Sequence, residues 1–456
     1  MRHYDTVAHG LEASYEDIQE GMSTPEGIGR TSIVMLRPTL GYPGDEALTS
    51  LFQTLTQEPQ LVCIPQYLHA QRAFGVWSLP DAMYADIEQQ LSYWSDFYVN
   101  EVERRHWYGF WNYGDVMHAY DNERQEWRYD IGGFAWDNTE LASNMMLWYN
   151  FLRTGRADLW RLAVAMTRHT SEVDVYHEGP FKGLGSRHNV SHWGCGSKEA
   201  RISQALWNRF YYYLSGGNER LGELMSAQRD LDTLLYRIDP MRLAEPRGMY
   251  PCTAPARLRV GPDWIAYAAN WMTEYERTQN PHYWTKMLNG MESISQMPLG
   301  IFSGPKALGY DPATGRLSWE GDPKMENTNH LLSLMGGTEF MGELLLIDEV
   351  PASWRKTWLD YCTEYRQRAI KGKRNGYPMA RLAAYAHWQS ALEPTTIPRD
   401  GLYQNTMVEY ERGIQTPDRF STNGISTWAL DAIYMLEVCP PQLQKNEENR
   451  TKKQSE

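Results

Sequence analysis

The sequence predicts a mainly α-helical protein: an α/α toroid, as an incomplete or complete barrel of helical hairpins, preceded by a short remnant of a β domain. Pairs of amphipathic segments joined by short loops recur, and their first helices start roughly 60 to 65 residues apart, a period typical of helical-hairpin repeats. Long connections rich in aromatic and polar residues precede each pair. An open solenoid is the alternative, but the small number of hairpins, about five or six, favours a closed ring.

The N-terminal part of the sequence differs from the remainder. The segment RTSIVMLRP, residues 30–38, predicts a strand. Because a lone strand needs partners, we expect residues 1–40 to be the end of a β-sandwich-like domain. We expect the toroid domain over residues 41–438, starting with helices at 45–56 and 81–104. The polar and charged residues 439–456 are expected to form a disordered tail.

The spacing of apolar residues at three and four positions predicts the hairpins in order. Asp137 and Glu140 are expected to form a capping box at the start of the first helix. If the ring closes, all connections into its inner helices meet at one end, where the helix N-termini favour bound anions. The predicted pairs are 138–154 with 158–176, 197–214 with 219–236, 263–278 with 283–297, and 326–347 with 353–369.

Composition limits the classes of partner and cofactor. A net charge of -13 argues against binding to nucleic acid or to anionic membranes. No apolar run is long enough to cross a bilayer, and the first residues do not form a signal peptide, so the sequence as written indicates a cytoplasmic protein or an N-terminally truncated secreted one. The five cysteines lack zinc-site spacing. We expect no cofactor; calcium is left open, without a supporting motif.

Residues 107–140 combine aromatic rings with polar side chains. Aromatic faces stack on the apolar side of sugar rings, while amides, carboxylates and imidazoles hydrogen-bond the sugar hydroxyls. These rings would alternatively belong to the core, but the interleaved polar residues are costly to bury unpaired. The segment therefore predicts binding of an acidic polysaccharide or oligosaccharide. Its candidate binding residues are Trp107, Trp111, Asn112, Asp115, His118, Asp137 and Asn138.

The loop SRHNVSHWGCG, residues 186–196, is the strongest candidate for catalysis. It places Arg187, His188, Asn189 and His192 just before a helix, and imidazoles transfer protons near neutral pH. A structural role, in which the histidines bond loop carbonyls, is the alternative. A zinc site would need a third protein ligand that the sequence does not place.

Later connections carry further polar residues. Tyr250, Asn327 and His330 lie in equivalent connections, and we expect them to face the same cleft. The carboxylates of Asp115, Asp137 and Glu140 also allow a different reaction, glycoside hydrolysis by a pair of acids. No phosphate-binding loop or serine nucleophile motif is present in the sequence.

Three stretches resemble a known family. HWYGFWNYGDVMHAYD at 106–121, GGFAWDNTEL at 132–141 and HNVSHWGCGSKEA at 188–200 resemble the C-terminal α/α-toroid domain of the exo-acting rhamnogalacturonan lyases, polysaccharide lyase family 26. The resemblance extends over about residues 80 to 438. It implies cleavage of the rhamnose–galacturonic acid backbone of pectin by β-elimination. Members of that family are commonly secreted and carry an N-terminal barrel and a central β-sandwich before the toroid.

β-Elimination requires a group that neutralises the uronate carboxylate, a base for the C5 proton and an acid for the leaving oxygen. From chemistry and position, we assign neutralisation to Arg187 and Asn189, and the base to His188 or His192. The acid would be Tyr113 or Tyr120, and Trp107 and Trp111 would form the stacking floor. A glycoside hydrolase of the α/α-barrel type and a non-catalytic polysaccharide-binding remnant are the alternatives.

Overall fold

A computed structural model of the chain describes residues 24–57, 60–121, 124, 126–129, 135–186, 198–241, 248, 252–371, 379–389 and 421–440. Helices dominate these residues. They are α1 (Asp45–Thr56), α2 (Pro65–Ala70), α3 (Ala85–Arg105), α4 (Ser143–Thr154), α5 (Ala157–Glu172), α6 (Ala200–Ser203), α7 (Ala205–Leu214), α8 (Glu219–Gln228), α9 (Ile265–Thr278), α10 (Pro281–Ser295), α11 (His330–Leu332), α12 (Thr338–Leu344), α13 (Ala352–Lys371), α14 (Met379–Trp388) and α15 (Thr422–Val438).

Short antiparallel strands occur in the connections between helices. Two hairpins have two strands each, and a third sheet has three strands in sequential order. The strands are β1 (Tyr120–Asp121), β2 (Glu126–Trp127), β3 (Gly185–Ser186), β4 (Lys198–Glu199), β5 (Ala256–Leu258), β6 (Leu308–Asp311) and β7 (Arg316–Ser318).

Burial separates the helices into an inner and an outer layer. Every residue of α4 from Ser143 to Arg153 is buried, and α9 is buried from Ile265 to Glu274. Helices enclosed on all sides lie in the interior of a fold. The units α6 with α7, α12, α14 and α15 belong to the same inner layer, whereas α5, α8, α10 and α13 each expose one face.

The inner layer closes into a ring. Helix α15 packs against both α14 and α4, so the last described helix meets the first inner helix. Hydrogen bonds fix this junction: the Thr422 backbone N–H donates to the His118 carbonyl at 2.9 Å, and the Thr422 hydroxyl donates to the Met117 carbonyl at 2.6 Å. The hydroxyl of Tyr98, on α3, donates to Thr422 Oγ1 at 2.8 Å. The predicted α/α toroid is therefore confirmed.

The start of α4 differs from the predicted capping box. Asn138, Thr139, Leu141 and Ala142 adopt left-handed backbone angles, with φ between 49° and 68°. The helix begins at Ser143 after a 3₁₀ turn, and neither of these two elements has a side-chain hydrogen bond at its N-cap position. Because the left-handed residues separate Asp137 from the first regular turn, its carboxylate instead accepts a hydrogen bond from the Ser143 hydroxyl at 2.5 Å.

The strand predicted at residues 30–38 is wrong. This segment is extended but forms no ladder with the described residues, and an isolated bridge joins the preceding Ile28 to Tyr176. Its apolar side chains, including Ile33, Val34 and Leu36, are 67%, 74% and 87% exposed. Apolar residues with β propensity become a strand only when a neighbouring strand accepts their backbone hydrogen bonds.

Three predicted helices are interrupted. The segment 326–347 starts as a helix only at His330, and a π turn over Ser333–Gly337, with Gly336 at φ 83°, separates α11 from α12. Gln204 divides α6 from α7. A 3₁₀ turn, Leu231–Tyr236, follows α8 where a continuous helix is predicted.

The π turn predicts a sharp requirement for glycine at position 337. A Cβ on Gly337 would lie 1.8 Å from the carbonyl oxygen of Leu332, whereas one on Gly342 would have its nearest atom at 3.5 Å. We expect Gly337→Ala to lower the free energy of unfolding by about 2–4 kcal/mol, because the wider turn must rearrange. Gly342→Ala, in the following helix, is the matched control. Equal urea midpoints for the two variants would contradict this explanation.

A buried ionic group joins three inner helices. Arg381 of α14 forms ion pairs with Glu339 of α12 and with Asp431 of α15. Burial raises the pKa of Asp431 to about 6, although the charge of Arg381 lowers it.

The raised pKa of Asp431 predicts how stability depends on pH. Between the ordinary carboxyl value of 3.8 and about 6, the unfolded chain loses this proton first, so the native protein loses stability as pH rises. Two pKa units correspond to roughly 3 kcal/mol. The free energy of unfolding of Asp431→Asn minus that of the native sequence should therefore rise by roughly 2–3 kcal/mol between about pH 4 and about pH 7. Urea unfolding measures this difference. Asp360→Asn, at a surface ion pair, should show no such trend; a flat Asp431→Asn curve would refute the explanation.

Candidate functional site

The connections into successive inner helices are joined side by side at one end of the ring. Arg259 lies just before α9, and Glu199 lies just before α6. The Arg259 guanidinium group donates to Glu199 Oε1 at 2.8 Å and to Asp263 Oδ2 at 2.8 Å. The next connection follows, because the side chain of Asn329 lies against Gly261. The second connection (residues 186–199), the third (residues 248–264) and the fourth (residues 318–330) therefore form one continuous surface in their described residues.

The same surface continues to the first connection. Leu141, before α4, packs with Leu334 and Met335 of the π turn that precedes α12. On the other side, the backbone N–H of Ser186 donates to the carbonyl of Asp174 at 2.7 Å, which links the second connection to the end of α5. We call this closed set of contacts the connection belt.

A buried imidazole between two carboxylates lies beneath the first connection. His169 of α5 places its Nε2 3.3 Å from Asp174 Oδ2 and 3.6 Å from Asp115 Oδ2. The Asn138 side chain donates to Asp174 Oδ1 at 2.8 Å, and its backbone N–H donates to Asp115 Oδ1 at 3.2 Å. All four side chains are 1% exposed or less. The cluster thus fixes the backbone of the strained turn that enters α4.

Electrostatics favour the charged form of this histidine. Burial lowers the pKa of His169, but the charges of Asp174 and Asp115 outweigh it and raise the pKa above the usual 6.5. An imidazolium between two carboxylates is a compensated buried group. It is suited to holding its neighbours in place.

Asp137 is a buried acid in the same connection. Burial raises its pKa well above 3.8, the charges of Asp115, Glu140 and Asp174 raise it further, and the hydrogen bond from Ser143 opposes them. Like charges in a low-dielectric environment favour the protonated form. Asp137 therefore combines complete burial with a pKa shift towards the protonated form, the form in which a catalytic acid acts.

Basic side chains follow in the next two connections. Lys198 donates to Ser186 Oγ at 3.1 Å and lies over the ring of Tyr176 at 5.0 Å. Arg201 forms an ion pair with Glu199. Burial opposes the charge of Arg259, but Asp263 and Glu199 outweigh it and raise its pKa. Cations held by a rigid network are the groups that neutralise a bound carboxylate.

In the sequence, the proposed catalytic loop connects β3 to β4. Arg187, His188, Asn189 and His192 are outside the described residues, as is Tyr250. The two ends of the loop are described: Ser186 pairs with Lys198 across β3 and β4. Both ends are thereby fixed beside Asp174 and the basic residues.

The predicted stacking floor needs a correction. Trp107 is only 4% exposed; it packs edge-on against Trp127 and Trp136, and its Nε1 donates to the Tyr129 hydroxyl at 2.8 Å. A ring enclosed by other rings presents no face to a sugar. Trp111, by contrast, is 37% exposed and meets Phe110 edge-on.

The remaining predicted residues occupy three places. Asp115, Asp137 and Asn138 come together in the buried cluster. Asn327 and His330 are half-buried in the fourth connection, where the Asn327 amide donates to Asn329 Oδ1 at 2.7 Å.

Asn112, His118 and Tyr120 are half-buried along the first connection, and Tyr120 meets the ring of Trp127 edge-on. Tyr113 is 40% exposed and lines a groove along α5 with Arg30.

Sequence reasoning missed five residues of this surface. His169 and Asp174 lie in and just after an outer helix, where the apolar pattern marks core positions and gives no sign of a polar cluster. Lys198 and Arg201 flank the start of an inner helix, and their position directly after the loop in the sequence could have indicated that they belong to this surface. Arg259, in the segment RLRV, could have been noticed as a cation entering the next inner helix.

Two further properties of the described residues bear on function. They contain no group of three or more His, Cys, Asp or Glu side chains placed to hold a metal ion. Their helices include none with the length and apolar character needed to span a membrane.

Comparison with known proteins places this architecture in a family. The family model described as the PcRGLX-like protein C-terminal alpha/alpha toroid domain matches residues 58–444, and that of the PcRGLX-like protein central beta sandwich domain matches residues 1–53. The uncharacterized protein YetA of Bacillus subtilis (strain 168) is 38% identical over 485 residues, covering 99% of this chain and 55% of YetA. The chain thus spans about half the length of this curated relative. The chain belongs to the PcRGLX-like protein family, and its ring of helices is that family's C-terminal α/α toroid domain.

Proposed function

We propose that this chain is the toroid part of a rhamnogalacturonan lyase-like enzyme, which cleaves the rhamnose–galacturonic acid bond of pectin by β-elimination. Family membership supports the class of substrate. The observation that carries the proposal is the pairing of Ser186 with Lys198 beside Asp174, because these two described residues border the histidine loop in the sequence and lie next to the carboxylate cluster and the basic residues.

In the proposed reaction the substrate carboxylate is bound first. Arg187 and Asn189 provide positive charge and hydrogen-bond donors, while Lys198 and Arg201, which are 3% and 2% exposed, hold the described residues that follow the loop. Neutralising the C6 carboxylate makes the C5 proton more acidic and stabilises the negative charge that develops when it leaves.

Proton transfer completes the elimination. His188 or His192 takes the C5 proton, the electron pair forms the C4–C5 double bond, and the C4–O bond breaks. The departing oxygen takes a proton from an acid, for which Tyr120 is the candidate on the first connection. His169, Asp115 and Asp174 are positioning residues, since they hold the turn at Asn138 from beneath.

One observation favours a hydrolase as the second candidate. Burial and the nearby charge of Asp115 raise the pKa of Asp137, and an acid with a raised pKa beside a second carboxyl group is the arrangement of glycosidases. Against this, both carboxyl groups are 1% exposed or less and make hydrogen bonds within the protein.

The histidine loop provides the direct test. Incubation with rhamnogalacturonan should generate the ultraviolet absorbance of an unsaturated uronate, and His188→Ala or His192→Ala should reduce the rate by about 10²–10⁴-fold, as loss of a general base does. His282→Ala, at an exposed position on α10, is the control and should retain full activity.

Other outcomes of this assay identify the alternatives. Sugar release without new absorbance, abolished by Asp137→Asn, would establish a hydrolase. Binding without any turnover, also when the family's preceding domains are supplied, would establish a polysaccharide-binding protein.

The positioning cluster predicts a pH-dependent loss of stability. Asp174→Asn removes one carboxylate facing a buried imidazolium, and breaking such a pair costs about 3 kcal/mol. The raised pKa of His169 contributes stability that is complete below pH 6.5 and is lost as pH rises through its folded value. The penalty should therefore be largest in the acidic range and shrink at alkaline pH, as urea unfolding at several pH values would measure. Asp96→Asn, at a surface ion pair with Arg156, is the control; a penalty that grows with pH would show that His169 is neutral.

A further inference from the structure

A second concave surface lies on the outer side of α5. A groove of about 860 Å³ separates this helix from the N-terminal segment and from the residues around α2. The groove runs along one face of α5, from Gly155 just before the helix to Arg168, which precedes His169. The α5 residues that line it are Ala157, Trp160, Arg161, Val164, Ala165 and Arg168.

The groove is cationic although the protein is strongly acidic. Its lining includes Arg30, Arg161 and Arg168, and none of the described residues that line it is Asp or Glu, in a chain of net charge -13. Glu172, a carboxylate that contacts the lining residue Thr31, is 4% exposed and accepts a hydrogen bond from the Thr31 backbone N–H at 2.6 Å. Positive charge is thereby concentrated at a site that can bind anions.

The three guanidinium groups are positioned differently. Arg168 donates to the Thr31 carbonyl at 2.9 Å, and Arg30 donates to the Tyr113 carbonyl at 3.5 Å. Burial and the like charge of Arg168 lower the pKa of Arg30, an effect that Glu172 opposes. Arg161 is exposed, and no other described residue forms a hydrogen bond or ion pair with it. An anion in the groove would relieve the repulsion between Arg30 and Arg168 and give Arg161 a partner.

The spacing of these charges suits a polymer with alternating uronates. Arg161 and Arg168 are seven residues apart on one helix face, which corresponds to about 10.5 Å along the axis, roughly the length of two pyranose rings. Tyr113, 40% exposed, offers an aromatic face at the groove wall. Carboxylates on every second sugar would meet guanidinium groups, while a ring between them would stack.

We propose that this groove is a secondary binding site for an acidic oligosaccharide whose uronates alternate with neutral sugars. The proposal rests on the proposed function for its class of ligand. Arg168 lines the groove, whereas the side chain of the adjacent His169 lies in the buried cluster of the connection belt. A polysaccharide bound at the belt end of α5 would thus have a charged path along the outside of the ring.

Arg161→Gln tests the groove without disturbing the fold, because no other described residue pairs with this side chain. The probe is a set of rhamnogalacturonan oligosaccharides several disaccharide repeats long, and isothermal titration calorimetry measures their affinity. We expect about three- to tenfold weaker binding at low salt, as for loss of one exposed charge-assisted contact, and convergence with the native protein at high salt. Arg220→Gln, at an exposed arginine paired with Glu223 on α8, is the matched control.

Carboxyl-reduced oligosaccharides distinguish charge from shape. They should bind the native protein and Arg161→Gln equally, and Arg161→Lys should restore part of the affinity for the acidic form. Unchanged affinity in Arg161→Gln, or equal losses in Arg161→Gln and Arg220→Gln, would overturn the proposal. The titration needs no turnover. Binding through Arg161 without lyase activity, also when the family's preceding domains are supplied, would refute the proposed reaction and leave the groove assignment standing.

Discussion

Closure of the ring is the constraint on which every other part of this structure depends. Helix α15 completes the inner layer by packing on α4, and Thr422 joins it to the first connection through hydrogen bonds to the Met117 and His118 carbonyls. Only in a closed ring do the connections into the first and last inner helices also become neighbours. An open solenoid of the same hairpins would place the first and last connections at opposite ends.

Once the connections are neighbours, their charges must be compensated in a small buried volume. The protein does so with ionic networks that cross from one connection to the next, such as Arg259 with Glu199 and Asp263, and with the imidazolium of His169 between two aspartates. Desolvation makes such networks a weak source of stability. Their geometric effect is clearer: each charged group has one favourable position, so the turns at the belt are held in a defined arrangement.

The sequence predicted the hairpins well because apolar periodicity reports directly which face of a helix is buried. It could not predict what backbone strain and tertiary contacts decide. The capping box at Asp137 fails because four left-handed residues intervene before α4, and the strand at residues 30–38 fails because the described residues give it no partner. Aromatic residues were equally ambiguous, since Trp107 and Trp111 look alike in sequence although one is enclosed by rings and the other is exposed.

Only some residues of the candidate site could be anticipated from the sequence. Asp115, Asp137 and Asn138 were recognised because they interrupt a run of aromatic residues, and the structure brings them together. The role of His169 could not be predicted, because a histidine on the buried face of an amphipathic helix has the same spacing as any core residue. Its role follows only from the position of Asp174, which comes after the helix has ended and the chain has turned back.

The hydrogen bond between the hydroxyl groups of Tyr98 and Thr422 joins residues 324 positions apart in the chain. During synthesis, the side of α4 that α15 covers must therefore wait until almost all the helices have left the ribosome. Until that moment a broad apolar surface faces water, and contacts of such long sequence separation form slowly. A nascent chain of this architecture would depend on chaperones that cover its apolar surface until the ring closes. Premature termination before residue 422 would leave the faces of α4 and α14 that α15 covers exposed to water.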